Sequence, residues 1–298
     1  MTPSLTLAIP THDGEPAVFA RVLDLAILGS PARPVVVVDM SSNDGVRRVC
    51  AARGPRVLYE PFRDSGGVSH SRNRCVELAD TRHVAFLDSD AFPEPGWLTY
   101  LATRLAEDRV AVVGSRILPS WETRPTRLLR TVPAADWLSL FDLGDKPREV
   151  PRIMGTSYAL DRERVPIPPF DESLGRRPGW PLAMEENVLC EAARAAGWRV
   201  VYEPGSVVHH RIPPERATWG WMWRRAHTAG RETRATGRFE PIPRPPLARG
   251  DRFFQAAVAA PFLAGVLAPL RQRDESCRQS RRRPEPQLLS TRSKDCEQ

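Results

Sequence analysis

Short apolar runs alternate with amphipathic segments along the first two thirds of the chain. The runs are rich in β-branched and aliphatic residues, and they predict strands at residues 5–9, 34–39, 57–60, 84–87, 110–118, 153–160 and 199–202. Between them, apolar residues at helical spacing predict helices at residues 17–28, 46–53, 69–79, 95–107 and 185–196. Because strands and helices alternate, we predict an α/β fold with a mostly parallel sheet flanked by helices.

Residues 119–151 interrupt this alternation. The segment contains several Pro and Arg residues and has no clear helical or strand period. Connections of this length without their own pattern usually run over the protein surface and contribute to binding. We therefore expect a surface excursion here, and we expect such loops to carry the contacts that select a ligand.

The chain changes character after the last predicted strand. Residues 219–227 interleave Trp with Arg, which suits either a helix at a bilayer interface or a helix that packs its Trp side chains on the rest of the protein. Residues 253–270 are apolar but short, and Pro261 and Gly265 interrupt them, so an interfacial or docked helix is expected rather than a membrane span. Residues 271–298 have the composition of a disordered tail.

Acidic residues follow two of the predicted strands. Asp88 and Asp90 come directly after residues 84–87, and Asp39 ends residues 34–39. Open α/β sheets bind ligands at the carboxyl ends of their strands, and paired carboxylates there suit Mg²⁺ or Mn²⁺. The alternative is an exposed acidic turn that caps a helix. The tripeptide alone does not decide between them.

The position of an acidic residue at a strand end, rather than a glycine-rich sequence motif, indicates nucleotide binding. Asp39 is placed to accept hydrogen bonds from a ribose, yet the first turn has no Gly-x-Gly-x-x-Gly. The pair Gly66-Gly67 precedes a predicted helix, where backbone N–H groups can approach a phosphate. An ordinary connection explains the same pair equally well.

Composition narrows the class of protein. With 298 residues, 41% of them hydrophobic, the chain can bury a full core. Its five cysteines are scattered without a Cys-x-x-Cys pair, which argues against a disulfide framework and a zinc site. The first residues have no basic region before an apolar stretch, so we expect no signal peptide and a cytoplasmic location.

The net charge of +7 is unevenly distributed. Residues 211–298 contain 18 Lys/Arg and 9 Asp/Glu, whereas residues 1–210 contain 25 and 27. This asymmetry indicates an anionic partner for the C-terminal part, either a membrane surface or an acidic acceptor. Nucleic acid is a weaker alternative because no zinc pattern, aromatic RNA-binding motif or regular basic helix accompanies the arginines.

Four motifs, in order, resemble those of family-2 glycosyltransferases with the GT-A fold, and the resemblance covers about residues 5–230. The family's first strand ends in Pro-Thr, and its second ends in Asp-Asn-Gly-Ser-Thr-Asp-Gly. A helix then begins Gly-x-x-x-Ala-Arg-Asn, and the fourth motif is Phe-Leu-Asp-x-Asp. The matching stretches are Pro10-Thr11-His12-Asp13, Asp39-Met40-Ser41-Ser42-Asn43-Asp44-Gly45, Gly67-Val68-Ser69-His70-Ser71-Arg72-Asn73 and Phe86-Leu87-Asp88-Ser89-Asp90.

The resemblance implies a Rossmann-like sheet and a set of ligand contacts. Mn²⁺ or Mg²⁺ would be held by Asp90, with Asp88 nearer the ribose and sugar. The residues that it implies for nucleotide-sugar binding are Pro10, Thr11, Asp13, Asp39, Gly67, Arg72, Asn73, Asp88 and Ser89. It also implies a division into a catalytic domain at residues 1–212, with a nucleotide-binding half (1–118) and an acceptor half (119–212), a helical extension (213–270) and a tail (271–298).

The later half of the family pattern matches less closely. The family's Glu-Asp helix start, whose Asp is the general base, becomes Glu185-Glu186 here. The alignment puts Glu186 at the base position, and either carboxylate could take the proton from the acceptor hydroxyl. Two acidic residues stabilised by a helix dipole are the alternative. The family's histidine after the last strand falls at His210, beside His209, and successive side chains of an extended segment point to opposite sides. His210 is therefore the predicted metal ligand.

The resemblance implies an inverting, metal-dependent transferase that moves a sugar from a nucleoside diphosphate donor, UDP-linked, to a hydroxyl acceptor on a glycan, lipid carrier or small molecule. Peripheral contact with an anionic membrane, at its cytoplasmic face, is expected from the basic C-terminal part. One alternative is a nucleotide-sugar-binding scaffold without catalysis, suggested by Glu186 in place of Asp and by the doubled histidine. A nucleotidyltransferase is a further alternative, but residues 10–14 contain no Gly-rich, Lys-containing phosphate loop.

Overall fold

The computed structural model of the protein describes residues 4–30, 32–62, 67–126, 129, 131–175, 184–236 and 249–268. The first half alternates strands and helices as predicted. Its elements are β1 (Leu5–Thr11), α1 (Pro16–Gly29), β2 (Val35–Asp39), α2 (Gly45–Ala51), β3 (Val57–Pro61), α3 (Val68–Leu78), β4 (His83–Leu87), β5 (Ala91–Pro93), α4 (Trp97–Leu105) and β6 (Val110–Trp121).

The second half is less regular and ends in two helices. Its elements are α5 (Val132–Trp137), β7 (Arg148–Glu149), β8 (Ser157–Asp161), α6 (Glu185–Ala195), β9 (Arg199–Ile212), α7 (Trp219–Thr236) and α8 (Arg249–Leu267). Gly66 and the predicted disordered tail at residues 271–298 lie outside the described residues.

One curled sheet contains the nine strands found in the described ranges. Their order is β3-β2-β1-β4-β8-β6-β9-β5, and β7 pairs with β9. The strands β1 to β4 pair in parallel, and so do β6 and β9, whereas β5, β7 and β8 run the opposite way. Six strands thus share one direction, and the predicted α/β fold with a mostly parallel sheet is confirmed.

The central strands are buried on both faces, which explains their continuous apolar sequences. All residues of β1, β2 and β4 are buried, since helices cover each side of the parallel half of the sheet. The helix α4 buries Trp97, Leu101 and Leu105 on this core while its Tyr100 stays exposed. The carboxyl ends of β1, β2 and β4 consequently open at one edge of the sheet.

The predicted surface excursion at residues 119–151 is wrong in part. Leu129, Leu138, Phe141 and Val150 are buried, and the backbone of Phe141 pairs with that of Ile117 in β6. These apolar residues occur in short clusters between Pro, Arg and Asp residues, so neither a helical nor a strand period marks them. Phe141 is a core residue because it pairs with β6 and its ring centroid lies 5.1 Å from that of Tyr202 in β9.

Two further boundaries differ from the prediction. β9 continues to Ile212, ten residues past the predicted end, because β6 also lengthens and the two strands pair on both sides of an irregularity near Glu203. Residues 91–93, which lie between the predicted elements, form the short strand β5 against β9. Both histidines therefore lie on a strand.

The C-terminal helices pack on each other and on α5. Phe254 of α8 is fully buried, with its ring centroid 5.6 Å from that of Trp137 and 5.8 Å from that of Trp219. Trp219 thus follows the packing interpretation of the Trp-rich segment, whereas Trp223 is exposed. Within the described parts of the chain, we find no helix that combines the length and the apolar character needed to cross a membrane.

Candidate active site

Asp88, Asp90 and His210 meet at the carboxyl edge of the sheet. Antiparallel pairing of β5 with β9 places Ala91 opposite His210, and the backbone N–H of Arg211 donates to the Asp90 carbonyl at 3.0 Å. One ligand atom of each of the three side chains lies within 4.8 Å of the others, and His210 Nε2 is 3.6 Å from Asp90 Oδ1. Residues 120 positions apart are thereby joined by strand pairing.

His210 is oriented as a metal-binding imidazole. Its Nδ1 lies 2.9 Å from the carbonyl oxygen of Leu138, which can only accept, so Nδ1 carries a proton and Nε2 is the nitrogen that faces Asp90. The ring of His209 points away and lies 2.7 Å from Glu94 at the surface. The two histidines differ in direction as the alternation of a strand requires, and the geometry favours His210 as the ligand.

The electrostatics of the two aspartates differ. Burial raises the pKa of the Asp88 carboxyl to about 6, against the opposing effect of the Arg72 charge, and the neighbouring Asp90 raises it further. Burial also acts to raise the pKa of Asp90, but the hydrogen bond and charge of His210 outweigh it, with help from Arg216, so this pKa is lowered. Two carboxylates and an imidazole nitrogen, once a cation has replaced the proton on that nitrogen, are donors that fit Mn²⁺ or Mg²⁺.

Arg72 joins the two glutamates to this cluster. Its Nη1 donates to Glu185 Oε1 and to Glu186 Oε1, each at 2.7 Å, and its Nη2 donates to the Gly155 carbonyl at 3.2 Å. The same Nη2 lies 3.8 Å from Asp88 Oδ1. With only 4% of its side chain exposed, Arg72 is a buried bridge between α3, the start of α6 and the end of β4. Its four partners contact the two terminal nitrogens, and Nε has no hydrogen-bond partner among the described residues.

Glu186 is the more accessible of the two glutamates. Its side chain is 13% exposed, against 3% for Glu185. A Cβ on Gly155 would lie 1.7 Å from Glu186 Oε1, so only glycine leaves room for this carboxylate. Met184, directly before the helix, has φ of 102°, a strained value for a non-glycine residue. Strain, close packing and an ion pair together fix where the Glu186 carboxylate lies.

The first-strand motif contributes a buried hydroxyl. Thr11 is 3% exposed, and its Oγ1 has no hydrogen-bond partner among the described residues. A Cβ on Gly14 would lie 3.0 Å from this oxygen and 3.8 Å from Ser89 Oγ, so both hydroxyls face the same space. Pro10 lies beside them in β1, paired with Val38 of β2. A buried donor without a protein partner is suited to a polar ligand.

Asp39 is held by its neighbours at the end of β2. Its Oδ1 accepts from the Ser41 N–H at 2.9 Å, and its Oδ2 accepts from the Tyr59 hydroxyl at 2.9 Å. Each carboxylate oxygen has a second lone pair, so the group can accept further bonds. Asp13 accepts from the Ser42 backbone at 3.0 Å and from the Asn43 amide at 3.1 Å, which ties the first and second motifs together.

Two predicted binding residues have structural contacts. The Asn73 amide donates to the Phe170 carbonyl at 2.9 Å and accepts from the Phe170 N–H at 3.1 Å, so it positions residues 170–172. Gly67 precedes α3 with φ of 89°, a left-handed value that favours glycine. Contact of either residue with a nucleotide-sugar stays a prediction.

Sequence reasoning missed several members of the site. Tyr59, Gly155 and the Leu138 carbonyl each position a predicted residue, but none stands in a motif or at an expected spacing. Arg216 follows β9 and contributes to the low pKa of Asp90. The sequence signal for Arg216 was its position six residues after His210. Because the predicted strand ended at residue 202, this position was not recognised as lying close to the site.

Comparison with known proteins places these motifs in a family. The model of "Glycosyl transferase family 2" matches residues 6–165, more than half of the chain. A glucosyl-dolichyl phosphate glucuronosyltransferase of Haloferax volcanii is 26% identical over 165 residues, covering 53% of this chain and 52% of the relative. A pre-mycofactocin glycosyltransferase of Mycobacterium tuberculosis is 29% identical over 230 residues, covering 72% of this chain and 44% of the relative. The chain thus spans about half the length of these relatives.

Solved structures show the same fold at low identity. GalNAc-T7 with UDP, GalNAc and Mn²⁺ superposes with a TM-score of 0.57 and 14% identity, covering 86% of this chain and 54% of that one. The mannosyltransferase PcManGT of Pyrobaculum calidifontis, with GDP-Man and Mn²⁺, gives a TM-score of 0.56 and 20% identity, covering 94% and 80%. These similarities confirm the predicted GT-A fold. From the extent of the family match, this chain belongs to glycosyl transferase family 2.

Proposed function

We propose that this protein is an inverting, metal-dependent glycosyltransferase that moves a sugar from a nucleoside diphosphate donor, UDP-linked, to a hydroxyl acceptor. One observation carries the proposal. Asp88, Asp90 and His210 converge within 4.8 Å, and Arg72 links this cluster to Glu186. Metal ligands for a diphosphate and a carboxylate for the acceptor thus occupy one site. The family assignment favours this function over the nucleotidyltransferase alternative.

Asp90 and His210 are the ligands that we assign to a divalent cation, Mn²⁺ or Mg²⁺, with Asp88 placed between the cation and the sugar side of the donor. When bound, the cation supplies Lewis-acid stabilisation of negative charge on the departing diphosphate. The lowered pKa of Asp90 favours its ionised form. The contact of His210 Nδ1 with the Leu138 carbonyl leaves Nε2 as the nitrogen that would hold the cation. Both features suit metal binding at neutral pH.

Glu186 is the residue that we assign as general base. Its carboxylate takes the proton from the acceptor hydroxyl while that oxygen bonds to the anomeric carbon and the bond from this carbon to the diphosphate breaks. A single displacement inverts the configuration at the anomeric carbon. Glu185 is more deeply buried, and we assign it to holding Arg72 in place. The close approach of Glu186 to Gly155 supports a fixed position for the base.

For the donor, Thr11, Ser89 and Asp39 offer hydroxyls and a carboxylate at the same sheet edge. UDP is the nucleotide in the GalNAc-T7 structure, and GDP-Man is the donor in the PcManGT structure. A thermal-shift screen over nucleotide-sugars, with Mn²⁺ present, identifies the donor because ligands that bind only the folded state raise its stability. We expect the UDP-sugars to give the largest shift.

For the acceptor, we propose a hydroxyl on a glycan or lipid-linked sugar presented at the cytoplasmic face of an anionic membrane. The name of the Haloferax volcanii relative refers to a lipid-linked sugar. The excess of Lys and Arg in residues 211–298 supports an anionic surface as the place of the reaction.

The test compares Glu186→Gln with Glu185→Gln and the wild type. We expect metal-dependent release of UDP by the wild type, and for Glu186→Gln a transfer rate lower by about 10²- to 10⁴-fold with unchanged donor affinity. Glu185→Gln should lose activity together with the ion pair to Arg72, and its loss should be smaller. Full activity of Glu186→Gln contradicts the base assignment. Tight donor binding by the wild type without turnover, even with acceptor extracts, supports the scaffold alternative.

A further inference from the structure

The outer face of α8 is unusually apolar. From Arg252 to Leu267 the helix has nine exposed positions, and only Arg252 and Gln255 among them are polar. A helix on the surface of a water-soluble domain normally presents charged and polar residues to solvent. The exposed face of α8 instead carries Phe, Leu and Ala along its length.

Large hydrophobic side chains are concentrated on this face. Phe253 is 60% exposed, Leu263 is 56% exposed and Leu267 is 76% exposed. Trp223, on the neighbouring helix α7, is also exposed. The other large exposed hydrophobic residues in the described parts of the chain stand one to an element or loop: Leu28, Leu58, Tyr100 and Ile167. Single exposed residues are ordinary, whereas a contiguous patch marks an interaction surface.

The opposite face of α8 packs against the rest of the protein. Phe254 and Val258 are buried, and a Cβ on Gly265 would lie 2.0 Å from the His227 carbonyl of α7. Arg234 of α7 also donates to the Val266 carbonyl at 3.1 Å. These contacts fix the rotation of the helix about its axis. Within the part of the chain that the structure describes, the apolar outer face is therefore turned away from α7 and exposed.

Charge indicates which partner fits this face. No acidic residue occupies the exposed positions of α8, since Asp251 is buried. Arg252 is exposed next to Phe253, and Arg224 is exposed next to Trp223 on α7. Arginine beside exposed aromatic and aliphatic residues is the arrangement of helices that lie in a lipid headgroup region. An anionic bilayer offers both an apolar layer and phosphate groups.

We propose that the outer face of α8, containing Phe253, Leu263 and Leu267 with Arg252 at its start, docks on the headgroup region of an anionic membrane. The inference rests on the proposed function only for the location of the acceptor, because it names the surface that reaches the membrane. The helix packs on Trp137 of α5, and Leu138, the residue directly after α5, contacts His210 through its backbone carbonyl, so a short series of contacts connects the docked helix with the metal cluster.

The test uses the full chain and two matched triple variants. One replaces Phe253, Leu263 and Leu267 with Ser, and the control replaces the exposed residues Leu28, Leu58 and Ile167 with Ser. Co-sedimentation is measured with vesicles of phosphatidylglycerol and phosphatidylcholine, and with phosphatidylcholine alone. We expect the α8 variant to bind the anionic vesicles at least about tenfold more weakly than the wild type, and the control to bind as the wild type does.

A single substitution separates docking from a folding defect. Arg252→Gln leaves the apolar residues in place, and it should weaken binding to anionic vesicles by about threefold to tenfold without changing the circular dichroism spectrum. Metal-dependent UDP release without vesicles should be unchanged in every variant, so failure of docking is distinguishable from failure of the proposed function. Equal vesicle binding by the wild type and the α8 variant overturns the proposal. Conversion of a wild-type dimer to a monomer by the α8 variant also overturns it, in favour of a second copy on this face.

Discussion

The sheet-edge site and the C-terminal helix pair are built on different physical principles. At the sheet edge, charged groups from four distant parts of the chain are buried together, and Arg72 holds Glu185 and Glu186 at 2.7 Å. The pair α7 and α8 relies on apolar contacts and small residues, with Gly265 against the backbone of α7. The first region fixes directions of polar atoms, and the second leaves an apolar face exposed.

The difference teaches where each region tolerates change. Removing one partner of a buried ion pair leaves the other charge without compensation, so the site should fail at single polar positions. The helix pair should fail where volume is added at the crossing, and its outer face should tolerate polar residues without loss of fold. The following substitutions test this division, from the largest expected effect to the smallest.

Asp90→Asn should abolish transfer more completely than any other change. It removes the charge of an assigned metal ligand and the partner of His210, and the loss of metal-assisted stabilisation should lower the transfer rate by about a thousandfold or more. The rate is measured as UDP release across a range of Mn²⁺ concentrations. Asp44→Asn, at an exposed Asp that pairs with Arg47, is the matched control and should keep wild-type activity. Activity restored to Asp90→Asn by Mn²⁺ within the physiological range would contradict the ligand assignment.

Gly155→Ala should displace the general base without removing it. The added methyl group meets Glu186 Oε1 at 1.7 Å, so the carboxylate must leave its present position. A misplacement of about 1 Å can cost a hundredfold in rate, and we expect a loss of about that size at saturating donor. Gly220→Ala, whose nearest neighbour is an Arg224 side-chain atom 3.5 Å away, is the control. If both variants transfer at the wild-type rate, Glu186 does not act from this position.

Gly265→Val should loosen the helix pair and spare the metal site. The new side chain meets the His227 carbonyl of α7, and overpacking of this kind costs about 1–3 kcal/mol. Hydrogen exchange of α8 peptides should accelerate, while donor affinity stays at the wild-type value. Ala264→Val, at an exposed position of the same helix, provides the comparison. Equal exchange rates in both variants would show that the crossing is not close-packed.

Tyr59→Phe should have the smallest effect. It removes one hydrogen bond to Asp39 Oδ2 and leaves the bond from the Ser41 N–H in place. The net value of such a bond is about 0.5–1.5 kcal/mol, so donor affinity should fall by about twofold to tenfold. Isothermal titration with the donor measures this change, and the turnover rate at saturating donor should not move. A lower turnover rate with unchanged donor affinity would contradict the assignment of Asp39 to the donor site.

Sequence predicted the first region better than the second. Asp39, Asp88 and Asp90 end strands whose apolar runs are continuous, so both their elements and their location at one sheet edge followed from pattern. The resemblance to the family added Arg72, Glu186 and His210 as site residues, and the structure brings these three into one network with Asp88 and Asp90. Their individual roles remain proposals.

Other features of the site and of the C-terminal helices could be identified only from the three-dimensional structure. Leu138 contacts His210 through its backbone carbonyl, and the residue type at a position does not predict such a contact. Gly155 is important because it has no side chain, which leaves space for the Glu186 carboxylate. Phe141 is buried although residues 138–142 show no strand period, because β6 pairs with it. The sequence alone did not predict which residues of α8 are exposed, because the burial of Phe254 determines the rotation of the helix about its axis.

The central claim is that Asp90 and His210, with Asp88 beside them, bind a divalent cation together with the donor. Electron paramagnetic resonance measures free Mn²⁺ directly, so it can be titrated with the wild type and with His210→Ala, each with and without UDP. Wild-type protein should bind one Mn²⁺ more tightly in the presence of UDP, and His210→Ala should bind at least about tenfold more weakly. Mn²⁺ binding that ignores UDP, or that is equal in both proteins, would contradict the account.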